Sequence, residues 1–215
     1  MLFPWKKTDE LREILETAIN VGIEGAKYDF KLTLNLTTKE EKMNFAKDIS
    51  AIANTDATTL EGYGFIIIGA KRHDIVGGFE KLLQGNIDNY QASLVSILKD
   101  WIAPVPRLHV IPFDEGEKGQ WGAIVIEPSQ NQPHLFIAEY SGSPARGDWY
   151  VRVSDINQRA RPEDFLRVLH KAVSSALSPV YSTLEDTNRR LALAEDKIPQ
   201  FLEILSITAG RRDIS

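Results

Sequence analysis

The sequence predicts an α+β (mixed α/β) domain followed by a helical tail. Amphipathic segments alternate with short strand-like runs, which are joined both by helices and by a tight hairpin turn, so the sheet should be mixed. A heptad pattern sets the C-terminal region apart. The 215 residues suffice for one domain of ordinary size with an appendage. We therefore predict a mixed sheet flanked by helices over residues 1–176 and a helical tail over residues 177–215.

Periodicity and capping residues predict the elements in order. Threonine followed by acids caps the first two helices. Alternation indicates strands with one buried face, and the β-branched run between Gly64 and Gly69 indicates a central strand buried on both faces. The predicted elements are helix 8–20, strand 28–34, helix 38–54, strand 64–69, a turn and short strand at 74–78, helix 87–102, hairpin 107–113 with 122–127, strands 133–138 and 149–153, and helix 162–177.

The tail carries an apolar residue every seven positions, and often another three positions later. These residues are Leu177, Leu184, Leu191, Ile198 and Leu205, with Val180, Ala194 and Phe201. Such spacing is typical of a helix that packs on another helix. Pro179 and Pro199 interrupt the pattern. Two interpretations stay open: a helix folded back on its own domain, or a contact with further copies or a partner protein through residues 177–205.

Composition and charge exclude several classes of function. Lys and Arg total 25 against 30 Asp and Glu, so any nucleic-acid contact must come from a local patch rather than from bulk charge. The absence of cysteine excludes disulfides, thiolate metal sites and cysteine nucleophiles. The N-terminus lacks the apolar segment of a signal peptide and no apolar run could span a bilayer, so we expect a cytoplasmic protein without membrane association.

The first candidate site lies where a helix end runs into a strand. Glu24 precedes Asp29, and Lys31 shares a strand face with Asp29 because strand side chains alternate. Two carboxylates and a lysine are the ingredients of a divalent-metal phosphodiesterase, in which the acids hold Mg²⁺ or Mn²⁺ and the lysine steadies a phosphate or the attacking water. The alternative is a set of ordinary solvated charges.

Two further motifs bear on phosphate contacts. The helix end at 51–55 runs into a glycine-bearing strand, but no Walker lysine follows, so no motif supports ATP binding. Four arginines lie near Trp149 and Tyr150, namely Arg146, Arg152, Arg159 and Arg161. Arginine beside aromatic rings suits phosphate contacts and base stacking, although neighbouring acids also fit a solvated edge.

Together these motifs resemble the Schlafen-type AlbA domain, also called a divergent AAA or ATP-binding domain. The matching pieces are Glu24 with Asp29-Phe30-Lys31, residues 51–55, 65–69, 75–77, 102–104 and 150–154. The resemblance covers about residues 20–172 and leaves the heptad tail outside.

The resemblance implies nucleic-acid binding and, in Schlafen proteins, metal-dependent cleavage of transfer and ribosomal RNA through three carboxylates. The first two match Glu24 and Asp29, which would be the ligands of Mg²⁺ or Mn²⁺. The third normally follows the apolar strand, where this chain has Lys71 and Arg72; Asp74 would have to substitute from a shifted position. Such a site would hold Mg²⁺ weakly, yet it could still hold a phosphate.

We therefore expect binding to RNA or single-stranded DNA. The expected contacts are Lys31, Lys71, Arg72, Arg146, Arg152 and Tyr150. An endoribonuclease would use Glu24, Asp29, Lys31 and Asp74 as catalytic residues. The alternative is a non-catalytic nucleotide- or DNA-binding regulator, or a scaffold subunit of a bacterial regulatory or anti-phage system, that oligomerises through the tail helix.

Overall fold

The computed structural model describes residues 8–22, 24–56, 59–83, 86–129 and 131–210. The chain divides into two units, Met1–Phe165 and Leu166–Ser215. The sequence places its domain boundary between residues 176 and 177, and that boundary stays a prediction. The last helix runs from Pro162 to Gly210, through Pro179 and Pro199.

The predicted fold class is confirmed, because a mixed sheet is flanked by helices and a long helix ends the chain. The elements in order are α1 (Thr8–Val21), β1 (Tyr28–Lys31), α2 (Lys39–Asn54), β2 (Gly64–Ile68), β3 (Ala70–Lys71), β4 (Asp74–Ile75), α3 (Glu80–Leu83), α4 (Ile87–Trp101), β5 (Ile102–Ala103), β6 (Leu108–Asp114), β7 (Gln120–Ile126), β8 (Leu135–Phe136), β9 (Tyr150–Val153), β10 (Ile156–Arg159) and α5 (Pro162–Gly210). Short 3₁₀ turns occupy Thr59–Gly62 and Gly116–Lys118. Strand β10, which pairs antiparallel with β9, is an element that periodicity does not indicate.

The central sheet has the strand order β1-β2-β7-β6. β1 pairs with β2 in parallel, and the chain between them passes through α2. β7 pairs antiparallel with both β2 and β6. β1 and β6 therefore form the two edges of the sheet, and β6 carries Pro112 within its length.

Strand β2 supplies apolar side chains to both faces of the sheet. Ile66 and Ile68 pack in one cluster with α2 and α4, whereas Phe65 and Ile67 pack in a second cluster with α1. All five residues of β2 are buried. Because strand side chains alternate, a continuously apolar strand fits this doubly covered position, as the sequence predicts.

A buried polar network joins the end of α2 to β9. The Asn54 side-chain amide donates to the backbone carbonyls of His134 at 3.2 Å and Tyr150 at 3.1 Å, and its oxygen accepts from the His134 N–H at 2.7 Å. The hydroxyl of Thr55 accepts from the backbone N–H of Arg152 at 2.7 Å. The motif at 51–55 thus fixes the position of β9, and with it the side chain of Arg152.

Helix α5 is described by itself. It is a single helix of 49 residues, and apolar side chains at its heptad positions are exposed, among them Leu177, Leu184 and Leu191. Within the described part of the chain, no helix combines the length and the apolar character needed to cross a bilayer.

Candidate functional site

Six charged residues meet beside β1, and we call them the charge cluster. They come from five parts of the first unit: the segment before β1, β1 itself, α2, the β3–β4 turn and β9. The members are Glu24, Asp29, Lys31, Asp48, Arg72 and Arg152. The sequence predicts five of the six, and Asp48 is the one that it does not.

Arg152 is the most buried cation of the charge cluster, with 2% of its side chain exposed. Its Nη2 lies 2.8 Å from Asp29 Oδ1, and its Nε donates to the Gly25 carbonyl at 2.9 Å. A weaker contact joins it to Asn157 at 3.3 Å. A guanidinium held this way neutralises a buried carboxylate, so Arg152 ties β9 to β1 and does not present its charge to solvent.

Lys31 bridges two carboxylates. Its Nζ lies 3.0 Å from Asp29 Oδ2 and 2.9 Å from Asp48 Oδ2, while Asn157 donates to Asp48 Oδ1 at 2.6 Å. Burial raises the pKa of the Asp48 carboxyl, against the opposing effect of the Lys31 charge. Burial alone would lower the pKa of Lys31, but the charges of Asp48 and Asp29 raise it above its usual value. The lysine is thereby held as a cation between two acids.

The exposed rim of the charge cluster is formed by the β3–β4 turn. Arg72 Nη2 and Nε donate to the same oxygen of Glu24, at 2.7 Å and 3.0 Å, and Nη2 also lies 3.4 Å from Asp155. Lys71 pairs with Asp74 across the turn at 3.6 Å. The two cations expected to contact phosphate here are therefore already paired with carboxylates.

A divalent metal does not fit the carboxylates as they are arranged. Across the described ranges, no three His, Asp or Glu side chains are grouped so that they could hold a metal ion. Both oxygens of Asp29 face cations, and Glu24 accepts from Arg72. A metal would have to displace these cations, and carboxylate oxygens already engaged in ion pairs are poor ligands for Mg²⁺. Asp74 pairs with Lys71 on the rim.

Asp48 could have been recognised from its place on α2. It lies three residues after Phe45 and four before Ile52, both buried, so it borders the apolar face of that helix, and 15% of its side chain is exposed. An acid at the border of an apolar helix face is rarely shielded from solvent unless it is paired, so this pattern indicates a cationic partner. Nothing local to the sequence identifies that partner as Lys31.

A second set of cations lies along α2, and we call it the α2 basic face. It consists of Lys39 and Lys47 on α2, with the ring of Tyr140 beside Lys39. Arg146 lies in the loop between β8 and β9. Lys39 Nζ lies 5.7 Å from the ring centres of both Trp101 and Tyr140. Lys47 Nζ lies 4.6 Å from the ring centre of Tyr150. A cation above an aromatic ring keeps its full charge, since the ring offers it no compensating anion.

The α2 basic face differs from the charge cluster in how its cations are compensated. Among the described residues, Lys39, Lys47 and Arg146 form no ion pair with a carboxylate. Tyr140 is partly exposed, whereas Tyr150 is only 4% exposed and packs in the core. The ring of Tyr150 is therefore not accessible to a base. Arg146, which the sequence predicts as a phosphate contact, is exposed and has no carboxylate partner among the residues described.

Comparison with known proteins agrees with this architecture. A family model described as Schlafen, AlbA_2 matches residues 24–161. No significant match was found among curated proteins or among solved structures. The matched range contains the central sheet, the charge cluster and the α2 basic face, and it ends one residue before α5 begins. This family suggests a nucleic-acid-related function. The chain belongs to the Schlafen AlbA_2 family.

Proposed function

We propose that the chain binds single-stranded nucleic acid through the α2 basic face and does not cut it. The observation that carries this proposal is the contrast between the two sets of cations. Lys31, Arg72 and Arg152 are paired with carboxylates, whereas Lys39 and Lys47 lie over aromatic rings. A phosphate approaching the α2 basic face need not displace a carboxylate.

The chemistry of the α2 basic face suits a single strand better than a duplex. Cations that follow a backbone, together with an accessible aromatic ring, are the usual elements of single-strand binding, because unpaired bases can stack. Tyr140 offers such a ring beside Lys39.

The proposal is tested by titrating the protein into labelled single-stranded RNA and DNA at several salt concentrations. Binding should weaken steeply with salt, because phosphate contacts release counterions. The double variant Lys39→Gln/Lys47→Gln removes two contacts, so the slope of log K against log salt should fall by about 1.4, or about 0.7 per contact. Tyr140→Leu should weaken binding by about 1–3 kcal/mol at every salt concentration.

Lys81→Gln is the matched control, because it removes one charge from an exposed lysine on α3. It should leave the salt slope unchanged. The pair Lys71→Gln/Arg72→Gln reports on the rim of the charge cluster. The proposed surface would be refuted if the slope of log K against log salt fell with the rim variant but not with the α2 variant. Binding that is absent or independent of salt would refute nucleic-acid binding altogether.

Metal-dependent RNA cleavage is the second candidate, and Asp48 is the observation in its favour. Asp48 joins Glu24 and Asp29 as a third carboxylate of the charge cluster, since Lys31 contacts both Asp29 and Asp48. Transfer RNA and single-stranded DNA should be incubated with the protein in Mn²⁺, Mg²⁺ or EDTA. We expect no cleavage. Metal-dependent cleavage that is lost in Glu24→Ala would instead establish the enzyme.

A further inference from the structure

The apolar seam of α5 is exposed, and nucleic-acid binding does not explain it. In the heptad notation abcdefg, the a positions are Leu177, Leu184, Leu191 and Ile198, whose exposed fractions run from 42% to 58%. The d positions Val173 and Val180 are exposed to a similar extent, at 48% and 54%. A sustained a/d seam of this kind is a surface for packing against another helix.

The two prolines lie away from this seam. Pro179 takes a c position and Pro199 a b position, both on the outer side of the helix relative to a and d. A proline removes one backbone hydrogen bond and bends a helix away from itself. Prolines on the outer side therefore favour curvature around a partner on the seam and leave the packing surface intact.

The charges beside the seam favour one orientation of the partner helix. Arg190 takes a g position and Glu195 the e position five residues later. In a parallel coiled coil these two positions meet across the interface, so Arg190 of each helix would face Glu195 of a neighbouring copy. In an antiparallel pair the g positions face each other, and the charged g residues among the described side chains, Arg190 and Lys197, are both cationic.

We propose that α5 associates in parallel with the α5 helix of other copies of this chain. The seam supplies the apolar area. Within one helix Arg190 pairs with Asp186 at 2.9 Å, and both side chains are exposed, so Arg190 also remains accessible to Glu195 of a parallel copy. The a positions are mostly Leu, and the d positions after Val173 and Val180 are Thr187 and Ala194, so the seam lacks the combination of β-branched a and Leu d that favours two strands. This inference is independent of the proposed nucleic-acid contacts, since it concerns the unit from Leu166 onward.

The first test measures the mass of the full chain in solution without nucleic acid. We expect a multiple of 24.2 kDa. Leu191→Glu places a charge on the seam and should weaken association at least about 100-fold. Leu193→Glu is the matched control, because Leu193 is 56% exposed at an outer c position. A wild-type chain that runs as a single copy, or equal effects of the two substitutions, would overturn the proposal.

The second test reads orientation and uses the absence of cysteine from the chain. Val180→Cys and Ala194→Cys, made separately, introduce one thiol each at d positions two heptads apart. In a parallel, in-register assembly each variant should form a disulfide with its own copy under oxidising conditions, because equivalent d residues are adjacent. An antiparallel pair brings equivalent residues together only at its midpoint. Cross-linking at one site but not the other would refute the parallel arrangement, and Glu185→Cys on the outer face is the negative control.

Discussion

Replacing Arg152 by methionine should strongly destabilise the first unit. Methionine keeps much of the length of the side chain but removes the guanidinium that lies 2.8 Å from Asp29 and donates to the Gly25 carbonyl. Both partners of the ion pair are buried, with side-chain exposures of 2% and 7%. The substitution therefore leaves a buried carboxylate with only Lys31 as its cationic partner.

The magnitude follows from this burial. Removing one partner of a buried ion pair costs about 3–5 kcal/mol when the remaining charge is left uncompensated. Because Lys31 still lies 3.0 Å from Asp29, we expect the lower end of that range, about 3 kcal/mol. For a protein of this size that corresponds to a fall in Tm of about 6–12 °C. The double variant Arg152→Met/Asp29→Asn removes the charge of Asp29 as well, so it should regain part of the loss and leave a deficit of about 1–2 kcal/mol.

Urea denaturation followed by circular dichroism measures these free energies of unfolding, and a double-mutant cycle isolates the coupling between Arg152 and Asp29. Arg146→Met is the control, because Arg146 is exposed and should change stability by less than about 0.5 kcal/mol. If Arg152→Met costs no more than Arg146→Met, Arg152 does not hold β9 to β1. Its charge would then be available to a phosphate, as the sequence predicts.

Three further perturbations test other parts of the fold. Asn54→Ala should lower the free energy of unfolding, measured by urea denaturation, by about 2–4 kcal/mol, because it leaves the buried backbone groups of His134 and Tyr150 without these hydrogen bonds. Asn44→Ala on the exposed face of α2 is the control and should change it by almost nothing. Thr38→Ala should lower the free energy of unfolding by about 1 kcal/mol, because it removes the hydroxyl that accepts from the Glu41 N–H at 3.1 Å. An unchanged Tm would exclude a stabilising role for this cap. Burial lowers the pKa of His134, so the unfolded chain takes up the proton at a higher pH than the folded chain does. The free energy of unfolding should therefore fall as the pH drops below about 6.5. His134→Asn should flatten this dependence, measured as Tm against pH.

Local signals in the sequence account for most of the fold. The Thr38 cap with Glu41 three residues later marks the start of α2, and the structure contains the complete capping box. The β-branched run at 64–68 identifies the strand that is covered on both faces. Both features depend on neighbours within a few residues, which is why periodicity and spacing reveal them.

The candidate site is less predictable because its contacts join distant parts of the chain. Arg152 and Asp29 are separated by 123 positions, and no local pattern pairs them. Their residue types indicate chemistry, but the same types serve a metal site, a phosphate site or an internal ion pair. The pairing decides among these uses, and it depends on the network that Asn54 and Thr55 form with β9.

Helix α5 joins the predicted helix of 162–177 and the predicted helical tail into one continuous helix. A proline inside a helix removes one backbone hydrogen bond, and its ring clashes with the carbonyl of the residue four positions earlier. Helix α5 nevertheless continues through Pro179 and Pro199 to Gly210. The two prolines therefore do not end the helix, although the sequence predicts that they interrupt the heptad pattern.

The edges of the central sheet bear on how the protein behaves when it is crowded or newly synthesised. A sheet can recruit a strand from a neighbouring chain through an unpaired edge, which is the first step towards fibrils. Pro112 deprives the β6 edge of one backbone donor, and β1 carries the partly exposed cation of Lys31. Both edges are therefore poorer templates for strand addition than an uninterrupted apolar strand would be.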